Sequence, residues 1–437
     1  MKKYRNLIPI VLIFFVFLSF YTLVSDNLEK ESQYNKYLSN ARKAAELGEK
    51  RAIENYRLAL ELKKTPEVYA EVAEYYKKQG NTRNYISWCE TFAEEFPKDP
   101  TAYELLTDAY VADERYQYAF DILETAEKRK VVSQKLEEIR EQIKYVYNIG
   151  FGSYDEVGVF SQGYCAVRSE GFWGFSDAFG QLQISCRFLN VGAFSVSYLA
   201  PVVSQSGEAY FADPVGDKYL ATKVPYKSLG MLSNGLSASV KSDGLYEYID
   251  ADFNVKSGPY EYASTFNHEL AAVKKSEGWF FIDKNGKQAF DGIFFDVKLD
   301  GNEIAFQNGL AFVSKTSGKY ILIDKNGNQV GNLEFEDALP FAGTGAAAVK
   351  TNGKWGFVNT SGSFISDNRY ENARSFSNGL AAVCIRGRWG FIDENENIAI
   401  EPVFTGARDF NEKGSCFVQQ NSDKWQLLKL YRLNRAG

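Results

Sequence analysis

The sequence contains little histidine or methionine, and its cysteines are not clustered. It has one histidine, two methionines and five cysteines among 437 residues. The cysteines are Cys89, Cys165, Cys186, Cys384 and Cys416. A disulfide framework or a structural zinc site needs clustered, evenly counted ligands at fixed spacing, so we expect buried free thiols. A Cys384–Cys416 disulfide is the remaining alternative, because these two residues lie on corresponding predicted strands.

Basic clusters and catalytic motifs are also missing. The net charge is −6, and the longest basic run is Lys128–Lys130, which argues against a nucleic-acid partner because phosphate binding needs clustered Lys and Arg. No GxGxxG after a strand, phosphate loop or HExxH motif is present, so the sequence indicates no cofactor. We therefore predict that the chain is not an enzyme, and we assign no catalytic, cofactor-binding or metal-binding residue.

A few residues resemble parts of active or metal sites. His268 has no evident nucleophile or orienting acid and occupies an ordinary loop position. Asp283–Gly286 and Asp324–Gly327 resemble the start of a calcium loop, but the third ligand and the Glu at position 12 are absent, which favours Asx-type turns. No motif singles out a carboxylate pair for glycoside cleavage, although two of the 56 acids could converge in the fold.

The segment Leu7–Val24 carries no charge and is long enough to span the hydrocarbon layer as a helix. The flanking charges are Lys2, Lys3 and Arg5 before it and Asp26, Glu29 and Glu31 after it. The positive-inside rule then predicts a cytoplasmic stub and transmembrane segment in residues 1–25 at the cell membrane, with the rest of the chain extracytoplasmic. Secretion after signal cleavage is the alternative, but no A-x-A-like site follows the segment.

Residues 26–147 are predicted to form short antiparallel helices. Their prolines, Pro66, Pro97 and Pro100, fall where helices should begin or end. A period of 34 residues relates Tyr69, Val72, Tyr76, Tyr85, Cys89 and Phe92 to Tyr103, Leu106, Tyr110, Ala119, Leu123 and Ala126. In each copy the apolar spacing predicts two helices, joined at Gly80 in one and at Asp113–Glu114 in the other.

This region resembles the tetratricopeptide repeat. Two copies fit well, although Tyr85 and Glu114 depart from the pattern; Ala52, Tyr56 and Ala59 match only the second helix of an earlier copy, and Val131–Tyr147 is predicted as a closing helix. The resemblance implies a partner-binding groove lined by Glu67, Ala70, Glu74, Lys77, Thr101, Glu104, Asp108 and Val111. A helical spacer with solvated faces is the alternative.

Residues 149–437 contain aromatic residues at nearly regular intervals of about 35 positions. We call them anchor residues: Trp173, Tyr210, Tyr246, Trp279, Tyr320, Trp355, Trp389 and Trp425. An alternating Leu-Ala-x-Val strand precedes the clearest anchors, and an Asp-x-Asn turn follows them, so each copy is predicted to be a β-hairpin.

Between hairpins, apolar residues recur three and then six positions after an aromatic residue. These linkers are Tyr154–Phe160, Phe188–Phe194, Tyr226–Leu232, Tyr260–Phe266, Phe335–Phe341, Tyr370–Phe376 and Phe404–Phe410, and the Phe295–Phe306 junction is longer, at 11 positions. The spacing does not fit a strand with one apolar face, so we predict a tight helical or looped turn that places apolar groups between neighbouring sheets.

These features closely resemble the bacterial WG repeat, with its Trp-Gly pair at Trp173–Gly174, Trp355–Gly356 and Trp389–Gly390. The resemblance covers nearly all of residues 154–430, although the copy around Tyr210 has largely lost the pattern. It implies a repeated β structure with an interaction role and no catalytic residues. The phase of the eight copies predicts a propeller-like ring, with an open β-solenoid as the alternative.

Together, these patterns predict a multi-domain α + β repeat protein: a transmembrane helix, a tetratricopeptide-like helical region and an all-β array of eight WG-type repeats. The functional hypothesis is a membrane-anchored extracytoplasmic binding or scaffold protein with a protein or cell-envelope glycan partner. One alternative is a cell-envelope enzyme or substrate-recognition subunit with a carboxylate site in the β domain. A third hypothesis is a purely structural spacer.

Overall fold

Helices occupy the N-terminal part of the described chain, and strands occupy the rest. The structure is a computed structural model that describes residues 7–221, 225–343, 345–365 and 367–431. The chain divides into two units: a helical unit that extends to Val146 and includes Tyr431, and a β unit, Tyr147–Leu430.

The described residues of the helical unit form seven helices. They are α1 (Leu7–Glu46), α2 (Arg51–Leu62), α3 (Pro66–Lys78), α4 (Thr82–Glu95), α5 (Pro100–Ala112), α6 (Tyr116–Lys128) and α7 (Gln134–Ile143). The predicted proline positions are confirmed: Pro66 and Pro100 open α3 and α5, where a missing N–H costs nothing. Thr65 and Asp99 cap these two helices with their side-chain oxygens.

The helices are joined in hairpins that share one core. The residues at the predicted joints, Gly80 and Glu114, have positive φ angles of 64° and 56°, which end α3 and α5. The residues of the 34-residue period then pack together, and Val72, Cys89 and Leu123 are fully buried. Two hydrogen bonds lock neighbouring helices: Trp88 Nε1 donates to Tyr69 O at 2.9 Å, and the Tyr85 hydroxyl donates to Leu105 O at 3.2 Å.

The predicted transmembrane segment and cell-membrane localisation are wrong. The helix that contains Leu7–Val24 continues without a break to Glu46, through charged residues that begin at Asp26. Within the described residues, no helix combines the length and the apolar character needed to cross a membrane. Lys2, Lys3 and Arg5, on which the predicted orientation rested, lie outside the described residues.

The described part of the β unit contains 28 strands. The first fourteen are β1 (Tyr147–Tyr154), β2 (Glu156–Ser161), β3 (Tyr164–Ser169), β4 (Phe172–Asp177), β5 (Leu182–Phe188), β6 (Asn190–Val191), β7 (Ala200–Val203), β8 (Ala209–Ala212), β9 (Lys218–Ala221), β10 (Ser237–Val240), β11 (Tyr246–Ile249), β12 (Val255–Tyr260), β13 (Tyr262–Ala263) and β14 (Ala271–Lys275). The others are β15 (Gly278–Ile282), β16 (Asp296–Val297), β17 (Leu310–Thr316), β18 (Lys319–Asp324), β19 (Asp337–Ala338), β20 (Ala347–Thr351), β21 (Lys354–Val358), β22 (Asn372–Ala373), β23 (Leu380–Ile385), β24 (Arg388–Asp393), β25 (Ile398–Phe404), β26 (Gly406–Ala407), β27 (Ser415–Gln419) and β28 (Trp425–Leu430).

These strands form eight small antiparallel sheets, which we number as copies 1 to 8. The sheets are β2–β5, β6–β9, β10–β12, β13–β15, β16–β18, β19–β21, β22–β25, and β26–β28 together with β1. A complete copy has a short strand from the linker, the predicted hairpin and an outer strand that ends at the first residue of the next linker. Copy 8 takes its outer strand from the start of the unit, because β1 pairs with β28.

The predicted propeller-like ring is not found, and the predicted fold class is corrected accordingly. The described strands form eight separate sheets of three or four strands, and no closed barrel or propeller ring is found among them. Within each copy, the strand hydrogen bonds are made to other strands of the same sheet. Neighbouring sheets meet mainly through side chains.

Edge-to-face aromatic pairs fill the space between neighbouring sheets. Phe391 of copy 7 meets Phe410, the last residue of the next linker, with ring centroids 4.8 Å apart. Equivalent pairs, with centroids 4.7–4.9 Å apart, are Phe175–Phe194, Tyr248–Phe266, Phe281–Phe306 and Phe357–Phe376. Such contacts add about 1 kcal/mol each beyond the area that they bury.

Copies 5 and 8 keep this aromatic contact although their aromatic residue lies on the other strand of the hairpin. In copy 7, Phe391 on the second hairpin strand lies opposite Ala382 on the first. In copy 8 the corresponding pair is Leu427 and Phe417, so the aromatic ring has moved to the first strand. Phe417 stacks on Phe160 at 5.7 Å. The pair Leu322–Phe312 in copy 5 shows the same exchange.

The linkers differ from the predicted tight turn. In copies 2 and 4 to 8, two residues near the start of the linker form a short strand. In copy 7 these residues are Asn372 and Ala373, and Ala373 lies opposite Val383. The long linker also begins one residue earlier than predicted. Phe294 is buried and bridges Trp279, whereas Phe295 is 61% exposed, so the linker is Phe294–Phe306.

The glycine of the Trp-Gly pair permits a close approach between strands. A Cβ at Gly390 would lie 2.6 Å from the Ile400 carbonyl oxygen on the neighbouring strand β25. Any larger residue would therefore push the two backbones apart. Trp389 is held opposite Phe404 in the same pair of strands.

We expect that the aromatic ring of copy 7 can be moved by mutation from the second hairpin strand to the first, as in copies 5 and 8. Phe391→Leu should lower the free energy of unfolding by about 1–2 kcal/mol through a cavity. Ala382→Phe should lower it by about 1–3 kcal/mol through overpacking. The double variant should lose less free energy of unfolding than the two single variants lose together, by at least about 1 kcal/mol, because the added ring replaces the lost one. Urea denaturation measures all three variants. Additive losses would contradict this account.

The five thiols are all free, as predicted, and no Cys384–Cys416 disulfide is formed. Burial raises the pKa values of Cys89 and Cys165 to about 12. Cys186 is the one thiol that is only half-buried. With Ellman's reagent at pH 8, we expect Cys186 to react first and the buried thiols to react only after denaturation. Cys186→Ser should abolish the fast phase. Equal rates at all five thiols would contradict the burial pattern.

Candidate binding sites

The eight predicted groove residues lie on two neighbouring helices. Helix α3 carries Glu67, Ala70, Glu74 and Lys77, and helix α5 carries Thr101, Glu104, Asp108 and Val111. None of them belongs to the buried core: Glu67, Glu74 and Lys77 are exposed, and the other five are half-buried. We call this set the acidic face, because it contains four acids and one lysine.

The acidic face is held in place by the packing behind it. Tyr69 and Val72 of α3, and Leu106 and Tyr110 of α5, are buried on the other side of these helices. Contacts to the acidic residues themselves are loose. Asp108 lies 3.9 Å from Lys135 of α7, and Glu74 lies 3.7 Å from Lys78. Their charges therefore remain available to a partner.

The eight anchor residues serve the packing of the β unit. Tyr210, Trp279, Tyr320 and Trp355 are buried, and Trp173, Tyr246, Trp389 and Trp425 are half-buried. Seven of the eight lie opposite the first residue of a linker, as Trp389 lies opposite Phe404 and Trp425 opposite Tyr154. Tyr210 is the exception, and it lies opposite Ala221. These rings join neighbouring strands and are not displayed as a row of exposed aromatic faces.

One cavity in the described part of the β unit lies among the linkers of copies 1, 5, 6, 7 and 8. Its volume is about 710 Å³. Phe160, Phe341 and Phe410, each the last residue of its linker, line it together with Leu339. We call it the linker cavity. It has the size of a small-molecule site.

The fifth residue of each linker differs in size and charge between copies. In order of the copies it is Gly158, Gly192, Gly230, Ser264, Lys298, Leu339, Arg374 and Arg408. The first, fourth and last residues are apolar in every copy, because they pack between sheets. The fifth position therefore tolerates different side chains, and in copies 5, 7 and 8 it carries a positive charge.

Two of these three cations have a carboxylate partner in the next copy. Lys298 lies 2.8 Å from Asp337, and Arg374 forms a two-point contact with Asp409 at 2.6 and 2.7 Å. Burial alone would lower the pKa of Arg374, but Asp409 more than offsets this and raises it. Sequence reasoning missed this set. Its signal in the sequence is the recurrence of Lys or Arg at the fifth linker position in copies 5, 7 and 8, which is visible only after the eight linkers are aligned.

The insertion in linker 5 borders the linker cavity on one side. Asp300 accepts hydrogen bonds from the backbone N–H groups of Asn302 and Ile304 and from Gln307 Nε2, at 2.6–2.9 Å. Gly301 approaches copy 1 so closely that a Cβ on it would lie 2.7 Å from Val159 Cγ1. Gly301 and Asn302 line both the linker cavity and a second cavity of about 280 Å³, so the insertion separates the two.

The residues that resembled catalytic or metal sites have structural roles. His268 is exposed in a turn with a φ of 49°. Asp283 Oδ1 accepts hydrogen bonds from the N–H groups of Asn285 and Lys287, and Asp324 repeats this arrangement; both are the predicted Asx turns. Among the described residues, no group of three or more His, Cys, Asp or Glu side chains could hold a metal ion.

Comparison with known families identifies part of the β unit. Residues 322–355, 355–389 and 389–425 match the family model of the WG containing repeat. The boundaries fall on the anchor residues Trp355, Trp389 and Trp425. Residues 322–425 are therefore WG repeats, and with its helical hairpins the chain is a repeat protein. A search of curated proteins gives no match.

Two solved structures show weak similarity. The computationally designed protein Ika8 is 11% identical, with a TM-score of 0.44, and the alignment covers 65% of this chain and 98% of Ika8. The Sgt2 TPR domain from Aspergillus fumigatus is 22% identical, with a TM-score of 0.22, and the alignment covers 25% of this chain and 76% of that domain. Neither score supports a conclusion about fold or function. The tetratricopeptide resemblance and the bacterial origin stay predictions.

Removing the partner of Arg374 should destabilise the β unit more than removing the partner of Lys298. Asp409→Asn should lower the free energy of unfolding by about 2–3 kcal/mol at pH 7, because it leaves a largely enclosed guanidinium without its carboxylate. The side chains of Arg374 and Asp409 are 24% and 23% exposed, whereas Asp337 is 40% exposed. The matched variant Asp337→Asn should cost about 1 kcal/mol or less. Urea denaturation measures both, and equal losses would refute the ranking.

Proposed function

We propose that the protein is a non-enzymatic binding protein whose acidic face holds a basic segment of a protein partner. The observation that carries this proposal is the acidic charge of that face. Glu67 and Glu74 are exposed, Glu104 and Asp108 are half-buried, and Lys77 is the one cation of the set. Charge of one sign on a fixed surface steers an oppositely charged partner and sets its register. The alternative of a spacer would be favoured by a face of balanced charge.

The anchor residues favour a protein partner over a glycan. Binding a sugar by stacking needs an exposed aromatic face, but four anchor residues are buried and the others are half-buried. The helical unit instead offers carboxylates at the surface of two packed helices. These carboxylates suit the side chains of Lys and Arg.

The acids near the linker cavity support a role without catalysis. A carboxylate pair for acid–base chemistry needs one group free to give or take a proton. Asp300 is engaged by three donors of its own loop, and Asp409 is engaged by Arg374. Burial and the nearby charge of Asp409 raise the pKa of Asp300, which is the feature that would favour the alternative of an enzyme. The three hydrogen bonds that Asp300 accepts instead give it a structural role, which is to hold the shape of the loop.

A peptide selection on the full chain tests the proposal. Random 12-residue peptides displayed on phage should be enriched in Lys and Arg after selection. The affinity of a selected peptide should fall with rising salt, because exposed charges are screened. The double variant Glu67→Lys/Glu104→Lys should weaken binding about tenfold or more, as measured by fluorescence anisotropy.

The matched control changes the charge by the same amount elsewhere on the helical unit. Glu61 of α2 and Glu94 of α4 are exposed and lie outside the acidic face. Glu61→Lys/Glu94→Lys should leave the affinity within about twofold. Selected peptides without basic enrichment, or equal losses in the two double variants, would rule out the acidic face as the binding site.

A further inference from the structure

Arg408 lacks the carboxylate that its counterpart in the preceding copy has. Arg374 and Arg408 are both the fifth residue of their linkers. Arg374 is paired with Asp409, which is the sixth residue of the next linker. For Arg408 the next linker is that of copy 1, since the sheets of copies 8 and 1 pack together, and its sixth residue is Val159. An apolar residue thus stands where the matching acid would be.

The surroundings of Arg408 hold a positive charge without neutralising it. Its guanidinium lies over the ring of Trp425, with Cζ 4.6 Å from the ring centroid. Its Nε is enclosed and has no hydrogen-bond partner within the described part of the chain. Burial, and then the nearby charge of Arg374, lower the pKa of Arg408, and the charge of Asp409 offsets this only in part. An enclosed donor of this kind normally has a partner.

Arg408 lines the linker cavity, so a ligand there could supply that partner. We propose that the linker cavity binds a small carboxylic acid with an apolar body, whose carboxylate bonds to Arg408. A guanidinium offers two parallel donors that match a carboxylate. Phe160, Phe341 and Phe410 give the rest of the cavity an apolar wall for the body of the ligand.

The charges around the cavity favour one negative charge over several. Arg374 is already neutralised by Asp409, and the other acids on the lining are Asp300 and Glu412. A doubly charged phosphate would meet these carboxylates without a second free cation. A monocarboxylate balances Arg408 alone. This site lies in the β unit and is independent of the function proposed for the acidic face.

Calorimetric titration of the full chain with 4-phenylbutyrate tests the proposal. The acid should bind saturably with one site and a dissociation constant below about 1 mM. Its uncharged amide, 4-phenylbutyramide, and inorganic phosphate should bind at least tenfold more weakly. Arg408→Met keeps much of the apolar stem and should abolish binding. It should also leave the melting temperature unchanged or higher, because it removes an unpaired enclosed charge.

A second variant tests the site without altering Arg408. Val159→Asp places a carboxylate where Asp409 stands relative to Arg374, so it should occupy Arg408 and weaken 4-phenylbutyrate binding at least tenfold in a chain that melts no lower. Arg386→Gln, in an exposed turn, should bind the acid like the unmodified chain.

Four results would overturn the proposal. The first is a lack of saturable binding at 4-phenylbutyrate concentrations up to about 10 times the expected upper limit of the dissociation constant. The second is equal binding of the acid and its amide, or of the acid and phosphate. The third is binding that survives Arg408→Met. A large fall in melting temperature for Arg408→Met would mean that Arg408 is a structural residue, and this too would overturn it.

Discussion

Each copy of the β unit depends on the next copy to cover its central aromatic ring. A sheet of three or four strands is too small to enclose Phe391 or Phe357, and the ring is covered by the last residue of the following linker. Hydrogen bonds across the same junction add to this, since Ser377 Oγ donates to Phe410 O and Ser161 Oγ donates to Phe194 O, each at 2.7 Å. Stability therefore belongs to junctions between copies more than to single sheets.

The same constraint explains where the chemistry lies. The first, fourth and last residues of a linker are committed to packing between sheets, and the residues between them are less constrained. The fifth residue therefore changes from glycine in copies 1 to 3 to lysine or arginine in copies 5, 7 and 8. Diversity at one repeated position gives the array an asymmetric interior, although its backbone repeats.

Much of the fold follows from local patterns in the sequence. The helix ends at Pro66 and Pro100, the joints at Gly80 and Glu114, and the Asx turns at Asp283 and Asp324 depend on neighbouring residues, and all were predictable. The membrane segment predicted at Leu7–Val24 was wrong, because no helix within the described residues combines the length and the apolar character that a span needs. The start of the long linker was misplaced because Phe294 and Phe295 are chemically equivalent in a sequence.

The site was harder to predict than the fold. The residues of the acidic face were named from the tetratricopeptide resemblance, which implies a groove lined by the first helix of each hairpin. The unpaired state of Arg408 did not, because it depends on Val159, some 250 positions earlier in the chain. Only the packing of copy 8 against copy 1 brings these residues together. No local pattern carries that information.

The pairing of β1 with β28 has a consequence for biosynthesis. The ribosome makes Tyr147–Tyr154 before any other strand of the unit and makes Trp425–Leu430 last. During the intervening synthesis, the nascent strand carries unsatisfied N–H and C=O groups along its edge, which expose it to pairing with other chains. The sheet that contains β1 and β28 can form only after nearly the whole unit has been synthesised. Because this pairing closes the longest loop in the unit, we expect it to be the slowest step of folding.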